Sequence, residues 1–132
     1  MDDIEINKIT EKVIGCAYQV SNSLGIGFVE KVYENALAHE IRKAGLKVFQ
    51  QSPIKVMYDD ILVGDFLADM LVEGTVLIEL KAVSMLKYEH TAQSLNYLRA
   101  SGLEICLLIN FGTTRVQIKR LHCSVFWKAP AS

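Results

Sequence analysis

The chain has 132 residues, 51% of them hydrophobic and 22% charged, with 8 glycines and 2 prolines. That apolar content excludes disorder, the low Gly and Pro content excludes collagen-like or linker sequence, and the length suits one domain. The 14 basic and 15 acidic residues leave a net charge of −1, so no global positive field attracts nucleic acid, and a polyanion has to be met by a local patch or by metal ions.

Cys16, Cys106 and Cys123 are odd in number and widely spaced, which fits buried reduced thiols rather than a disulfide framework or a zinc motif. The start, MDDIEINKIT, is acidic and polar and has no apolar signal segment. Runs such as Cys106–Ile109 are too short to span a bilayer. We therefore expect a cytoplasmic protein with no membrane partner.

In chain order, Ile6, Ile9, Val13, Cys16, Ala17 and Val20 recur at helical spacing, predicting an amphipathic helix over about 6–23 with Gly25 as its cap. A second helix is predicted from Phe28 to Ala44, stopped by Gly45, with the apolar stripe Val29, Val32, Tyr33, Ala36, Leu37, Ile41 and Ala44. Strands are then expected near Ile54–Tyr58, Ile61–Leu71 and Val76–Ala82, punctuated by Asp59-Asp60 and Glu73-Gly74. A third helix runs over about Tyr88–Ser101, closed by Gly102, with Tyr88, Ala92 and Leu95 buried. The unbroken apolar run in Glu104–Asn110 predicts an interior strand. Asn110-Phe111-Gly112 is a turn, and Arg115–Leu121 a last strand. No repeat or linker interrupts the order. It predicts an α/β (α+β) domain over 1–132, with helices packed on a mixed sheet and a tail fraying from about 129.

The chemistry concentrates between Asp69 and Lys81. Residues two apart on a strand share a face, so Glu79 and Lys81 point together while Ile78 and Leu80 point to the core. Register decides whether Asp69 joins them. A two-residue Glu73-Gly74 loop pairs Asp69 with Ile78 and separates the carboxylates. A three-residue loop or one bulge pairs Asp69 with Glu79, with Cβ atoms about 4.5–5.5 Å apart. A functional site requires the second register. Two adjacent carboxylates then need a positive partner, either Lys81 as an ordinary salt bridge or a divalent metal held by Asp69, Glu79 and the Leu80 carbonyl. Mg²⁺ suits the latter, because it takes hard oxygen ligands and phosphate.

On a helical wheel Glu30 falls between Leu37 and Ile41, inside the apolar stripe, where a carboxylate needs a partner or a raised pKa. Glu40 lands in the same stripe. His90, Gln93 and Tyr97 form one line on the third helix, able to orient a phosphate or simply to face solvent. His39 and His122 are read as structural. Phe126 and Trp127 suit either a sheet cover or a dimer contact.

Gly27-x-x-Glu30-x-x-Tyr33, Asp69, Val76-Leu77-Ile78-Glu79-Leu80-Lys81-Ala82-Val83, His90-Thr91-Ala92-Gln93-Ser94-Leu95-Asn96-Tyr97-Leu98 and Leu107-Leu108-Ile109-Asn110-Phe111-Gly112 follow in order along nearly the whole chain. Together they resemble the GxxExxY protein family, placed in the PD-(D/E)XK nuclease-like superfamily. The resemblance implies a restriction-endonuclease-like αβββαβ core. It also implies a Mg²⁺ site (Mn²⁺ as substitute) of Asp69, Glu79, Leu80 and Glu30, with Lys81 positioning or deprotonating the attacking water. Gln93 would be the additional helical residue, with Tyr97 nearby. The superfamily's Pro before the aspartate is Ala68 here. The implied function is a metal-dependent phosphodiesterase or nuclease on DNA or RNA, with a homodimer as one way to build a groove. The competing reading keeps the fold as a catalytically silent binding or assembly module, whose acidic face takes a partner or a structural ion.

Overall fold

The computed structural model describes residues 1–123. The expected fraying from about 129, and the roles weighed for Phe126 and Trp127, lie outside the described residues. The elements are α1 (Asp3–Leu24), α2 (Glu30–Lys43), β1 (Val48–Tyr58), β2 (Ile61–Val72), β3 (Val76–Lys81), α3 (Tyr88–Ser101), β4 (Ile105–Asn110) and β5 (Gln117–His122). The five strands form one mixed sheet in sequence order, with β3 and β4 parallel and the other neighbours antiparallel. α3 makes the crossover that a parallel pair requires.

Alternation along the central strands divides the core. Val76, Ile78 and Leu80 of β3, with Ile105, Leu107 and Ile109 of β4, pack under α1 and α2. Leu77 and Cys106 point the other way and pack with Leu98 of α3. Both faces are covered, which is why β4 is buried at every position and reads as a continuous apolar run. Among the described residues no helix is long and apolar enough to cross a membrane.

Helix ends follow the sequence punctuation. The Asp2 carboxylate caps α1 by accepting from the Glu5 N–H at 2.8 Å, and Gly102 closes α3 in the left-handed region at φ 74°. His90 is part of this framework, its Nδ1 accepting from the Lys87 N–H at 3.0 Å at the start of α3.

Two predicted stripes are corrected. Val29 (71% exposed) is the N-cap of α2 and Val32 is also exposed, whereas Glu34 and Ala38 are buried beside Tyr33, Leu37 and Ile41. The cause is Tyr33. Its ring stacks on Phe111 at 4.9 Å, and its hydroxyl donates to the Gly25 carbonyl at 2.6 Å while accepting from the Phe28 N–H at 3.3 Å. That clamp fixes the rotation of α2. On α3, Tyr88 is 81% exposed rather than buried, Ala92 and Leu95 are half-buried, and the buried line is Ser94 and Leu98. Ser94 faces the sheet because its hydroxyl bonds the Cys106 thiol beneath it.

The Asn110-Phe111-Gly112 turn is a second clamp. The Asn110 amide accepts from the Val83 and Gly112 N–H groups (2.9 and 3.0 Å) and donates to the Val83 carbonyl (2.9 Å) and to Gln117 (3.0 Å). It thereby fixes the chain just beyond Lys81.

Candidate active site

The β2–β3 connection settles the register. Glu73 and Gly74 are both left-handed (φ 52° and 63°), and the Thr75 N–H donates to the Val72 carbonyl at 3.0 Å. These are the features of a two-residue hairpin turn. Yet Val72 pairs with Val76 and Met70 with Ile78, so Thr75 is an extra residue. Adding it brings Asp69 opposite Glu79, on the α3 side of the sheet.

One step past the Met70–Ile78 pair the backbone ladder stops, and side chains take over. The Asp69 N–H donates to Glu79 Oε1 at 3.1 Å, and the Leu80 N–H donates to Asp69 Oδ2 at 2.7 Å. Each carboxylate thus satisfies an amide that the parting strands would otherwise leave unpaired. Lys81, two residues beyond Glu79, is half-buried at the end of β3. The structure therefore brings Asp69, Glu79 and Lys81 together.

The electrostatics of this group are unbalanced. Glu79, 5% exposed, is pushed up to about 8, first by burial and then by the Asp69 charge, with the Asp69 N–H and Lys81 opposing. Asp69 is also raised, by burial and by Glu34, against the Leu80 N–H, Lys81 and a hydrogen bond from Gln51. Among the described residues neither carboxylate has a salt bridge within 4.0 Å.

Glu30 does not join the pair. It is the first residue of α2 and exposed. The wheel gives its direction correctly, but the helix begins there, so no further turn covers it. It still lies within electrostatic reach: local burial raises its carboxyl, Lys81 opposes, and Asp69 and Glu34 add to the rise. Gln93 and Tyr97 lie one turn apart on α3 and are joined by a 3.2 Å hydrogen bond. Burial first, and then the charges of Glu79 and Asp69, raise the Tyr97 phenol, which is thus within their electrostatic reach. Glu40 pairs with Lys43 at 3.4 Å, away from this group.

Sequence reasoning missed Glu34, Gln50 and Gln51. The buried Glu34 carboxylate is ion-paired to Lys31 at 2.9 Å and accepts from the Gln50 and Gln51 amides at 2.7 and 2.8 Å. Gln51 also bonds Asp69, and it is left-handed at φ 57° in the middle of β1. Gln51 and Asp69 drop out of the β1–β2 ladder together, between the pairs Gln50–Met70 and Ser52–Ala68. The available signal was Glu34 itself, next to Tyr33 and four residues from Ala38 on the buried wheel face.

No three His, Cys, Asp or Glu side chains among the described residues are placed to hold an ion unaided. Mg²⁺ does not need that, since it takes one or two carboxylates and completes its shell with water and phosphate. Two facing carboxylates with surplus negative charge, each with one oxygen engaged by a backbone amide, are a hard donor set that fits such an ion.

A strand-borne Asp facing a Glu-x-Lys pair, on a mixed sheet flanked by helices, defines a nuclease-type fold. Residues 7–121 match the PD-(D/E)XK nuclease superfamily, and the chain belongs to that superfamily. Its fold is similar to the crystal structure of an alkaline exonuclease (LHK-Exo) from Laribacter hongkongensis, with a TM-score of 0.54 at 17% identity, over 93% of this chain and 71% of that one. No curated protein matches in sequence.

Proposed function

We propose that this protein is a Mg²⁺-dependent nuclease, with Mn²⁺ as substitute, that hydrolyses phosphodiester bonds of DNA or RNA within a GxxExxY-type branch of the superfamily. The observation that carries the reading is the pair of carboxylates, Asp69 and Glu79, turned toward each other beside Lys81 where β2 leaves β3. Asp69, Glu79 and the Leu80 carbonyl would hold the ion, with Glu30 at the edge of its surroundings. When bound, the ion supplies charge neutralisation at the phosphate and acidifies water.

The remaining work belongs to the chain. The Lys81 ammonium orients the attacking water and offsets charge that builds on the phosphate oxygens. Gln93 and Tyr97 present an amide and a phenol to a non-bridging oxygen. The raised phenol stays protonated and so remains a donor. Gln51, itself anchored on Glu34, holds Asp69 from behind.

The test is cleavage of single-stranded, duplex and branched DNA and RNA in Mg²⁺, Mn²⁺ or EDTA, with Lys81→Ala and Asp69→Ala alongside. We expect metal-dependent cleavage that falls by about 10²-fold or more in either variant. Equal activity in the variants assigns the cleavage to a contaminant and leaves the binding-module reading in its place.

A further inference from the structure

We infer that the groove between α3 and the outer part of the β1–β2 hairpin is a subsite for an unpaired nucleobase, which makes the substrate a single strand or a frayed end. The inference rests on the nuclease reading above and names the substrate class of that same site.

The groove has a volume of about 720 Å³, within the range of small-ligand sites, roughly 300–1,000 Å³. Phe66 and Tyr97 form its wall and Tyr88 its rim, with Gln93 and Asn96 as polar lining. The Phe66 and Tyr97 rings stand 5.5 Å apart at 37°, and Phe66 remains 44% and Tyr88 81% exposed. Aromatic surface left open in this way is what bases stack on, and stacking tolerates any sequence because every base has a π-face. The amides of Gln93 and Asn96 can donate to or accept from a base edge. Asn96 is held for this by Arg99, whose guanidinium donates to its carbonyl at 3.1 Å.

Continuity ties the groove to the chemistry. Gln93 and Tyr97 line it, hydrogen-bonded to each other, and the Tyr97 phenol lies within electrostatic reach of Glu79 and Asp69. A strand whose phosphate lies at the carboxylates therefore has an adjacent base within reach of Phe66 and Tyr88.

Charge points the same way. Duplex binding draws mainly on phosphate contacts, and a chain with 14 basic and 15 acidic residues has no surplus of cations to supply them. Stacking provides affinity without that surplus. Paired bases, already stacked within their helix, cannot offer a face to the groove.

The experiment measures binding of fluorescein-labelled DNA by anisotropy in EDTA, where no cleavage occurs. The probes are a short mixed-sequence single strand, the same sequence as a blunt duplex, and an abasic strand of equal length. The single strand should bind about ten-fold or more tighter than the other two. Phe66→Ala and Tyr88→Ala should each weaken the single strand several-fold and leave the abasic strand unchanged. Phe66→Trp should restore binding. Both positions are exposed, and melting curves confirm the fold of each variant. Equal affinity for base-containing and abasic strands, tighter duplex binding, or no binding of any probe overturns the proposal. Cleavage is scored separately in Mn²⁺. Base-dependent binding without cleavage leaves the groove standing and removes the nuclease reading, whereas cleavage without base dependence does the reverse.

Discussion

Replacing Glu79 with Gln should stabilise the metal-free protein above neutral pH. Glu79 is 5% exposed, and its proton affinity rises from an ordinary 4.5 to about 8, burial acting first and the Asp69 charge second. An acid that holds its proton more tightly folded than unfolded stabilises the fold while protonated. Its contribution is complete below about pH 4.5 and is lost as pH rises through about 8. At pH 7 the loss amounts to about 3 kcal/mol for this one proton, a large share of a typical 5–15 kcal/mol. Asp69, also raised, adds in the same direction. Glu79→Gln removes the ionisation and keeps an oxygen able to accept from the Asp69 N–H. Urea melts in EDTA should find the variant more stable by about 2–3 kcal/mol at pH 8, and within about 1 kcal/mol of wild type at pH 5. Saturating Mg²⁺ should close the gap at pH 8 by stabilising the wild type alone. A wild type that gains stability from pH 5 to 8, or that runs parallel to the variant, refutes the reasoning.

Gln51→Ala removes a donor from the buried Glu34 and keeps the left-handed backbone, so it should cost about 2–3 kcal/mol. Gln51→Gly loses the same bonds but relieves φ 57°, and should melt about 1 kcal/mol higher than the alanine variant. Equal denaturant midpoints for the two would show that the backbone there is unstrained. Tyr33→Phe deletes the hydroxyl that bonds Gly25 and Phe28 and should cost about 1–2 kcal/mol by chemical denaturation; a change under about 0.5 kcal/mol speaks against the clamp. Gly112→Ala drives a Cβ into the Val83 backbone that Asn110 holds, so thermal melting should show a loss of about 3 kcal/mol or more. A variant as stable as wild type removes that close approach.

The helices and the interior strand were legible because their signals are local. Tyr88–Ser101 is recovered at both ends, with Gly102 as its stop, and β4 falls one residue short of the expected 104–110. The strand before Ile54 was not legible. Gln50-Gln51-Ser52-Pro53 is polar and carries a proline, yet all of it but Gln51 pairs with β2 along an edge, where proline costs the sheet no bond. Missing it hid Gln51, and with it the partner of Glu34. The register was legible only as a choice. Glu73-Gly74 has the residues of a two-residue turn and adopts that turn, while Thr75, unremarkable as a residue type, supplies the offset that faces Asp69 toward Glu79. Glu30 shows the opposite limit. Its wheel angle is a local property and proves correct, but exposure depends on where α2 begins relative to the sheet, which periodicity does not encode.

Why the carboxylates sit at a break rather than on a flat stretch of sheet follows from hydrogen-bond accounting. In an unbroken ladder the Asp69 and Leu80 amides would bond opposing carbonyls, and the two acids would stand free on a solvated face with many rotamers. Here those amides are taken by the acids themselves, which fixes both side chains and parts β2 from β3 at the same place. On the other side of β2 the ladder is broken again at Gln51, whose side chain reaches Asp69. Asp69 is therefore held from both neighbouring strands by side-chain bonds that a regular sheet would make unnecessary. The fold accepts a lost ladder bond, a left-handed glutamine and a proton-hungry glutamate at one point, and preorganised carboxylates are what that point has in return. Substitutions that regularise it, Glu79→Gln foremost, should thus gain stability by discarding the groups that bind and position.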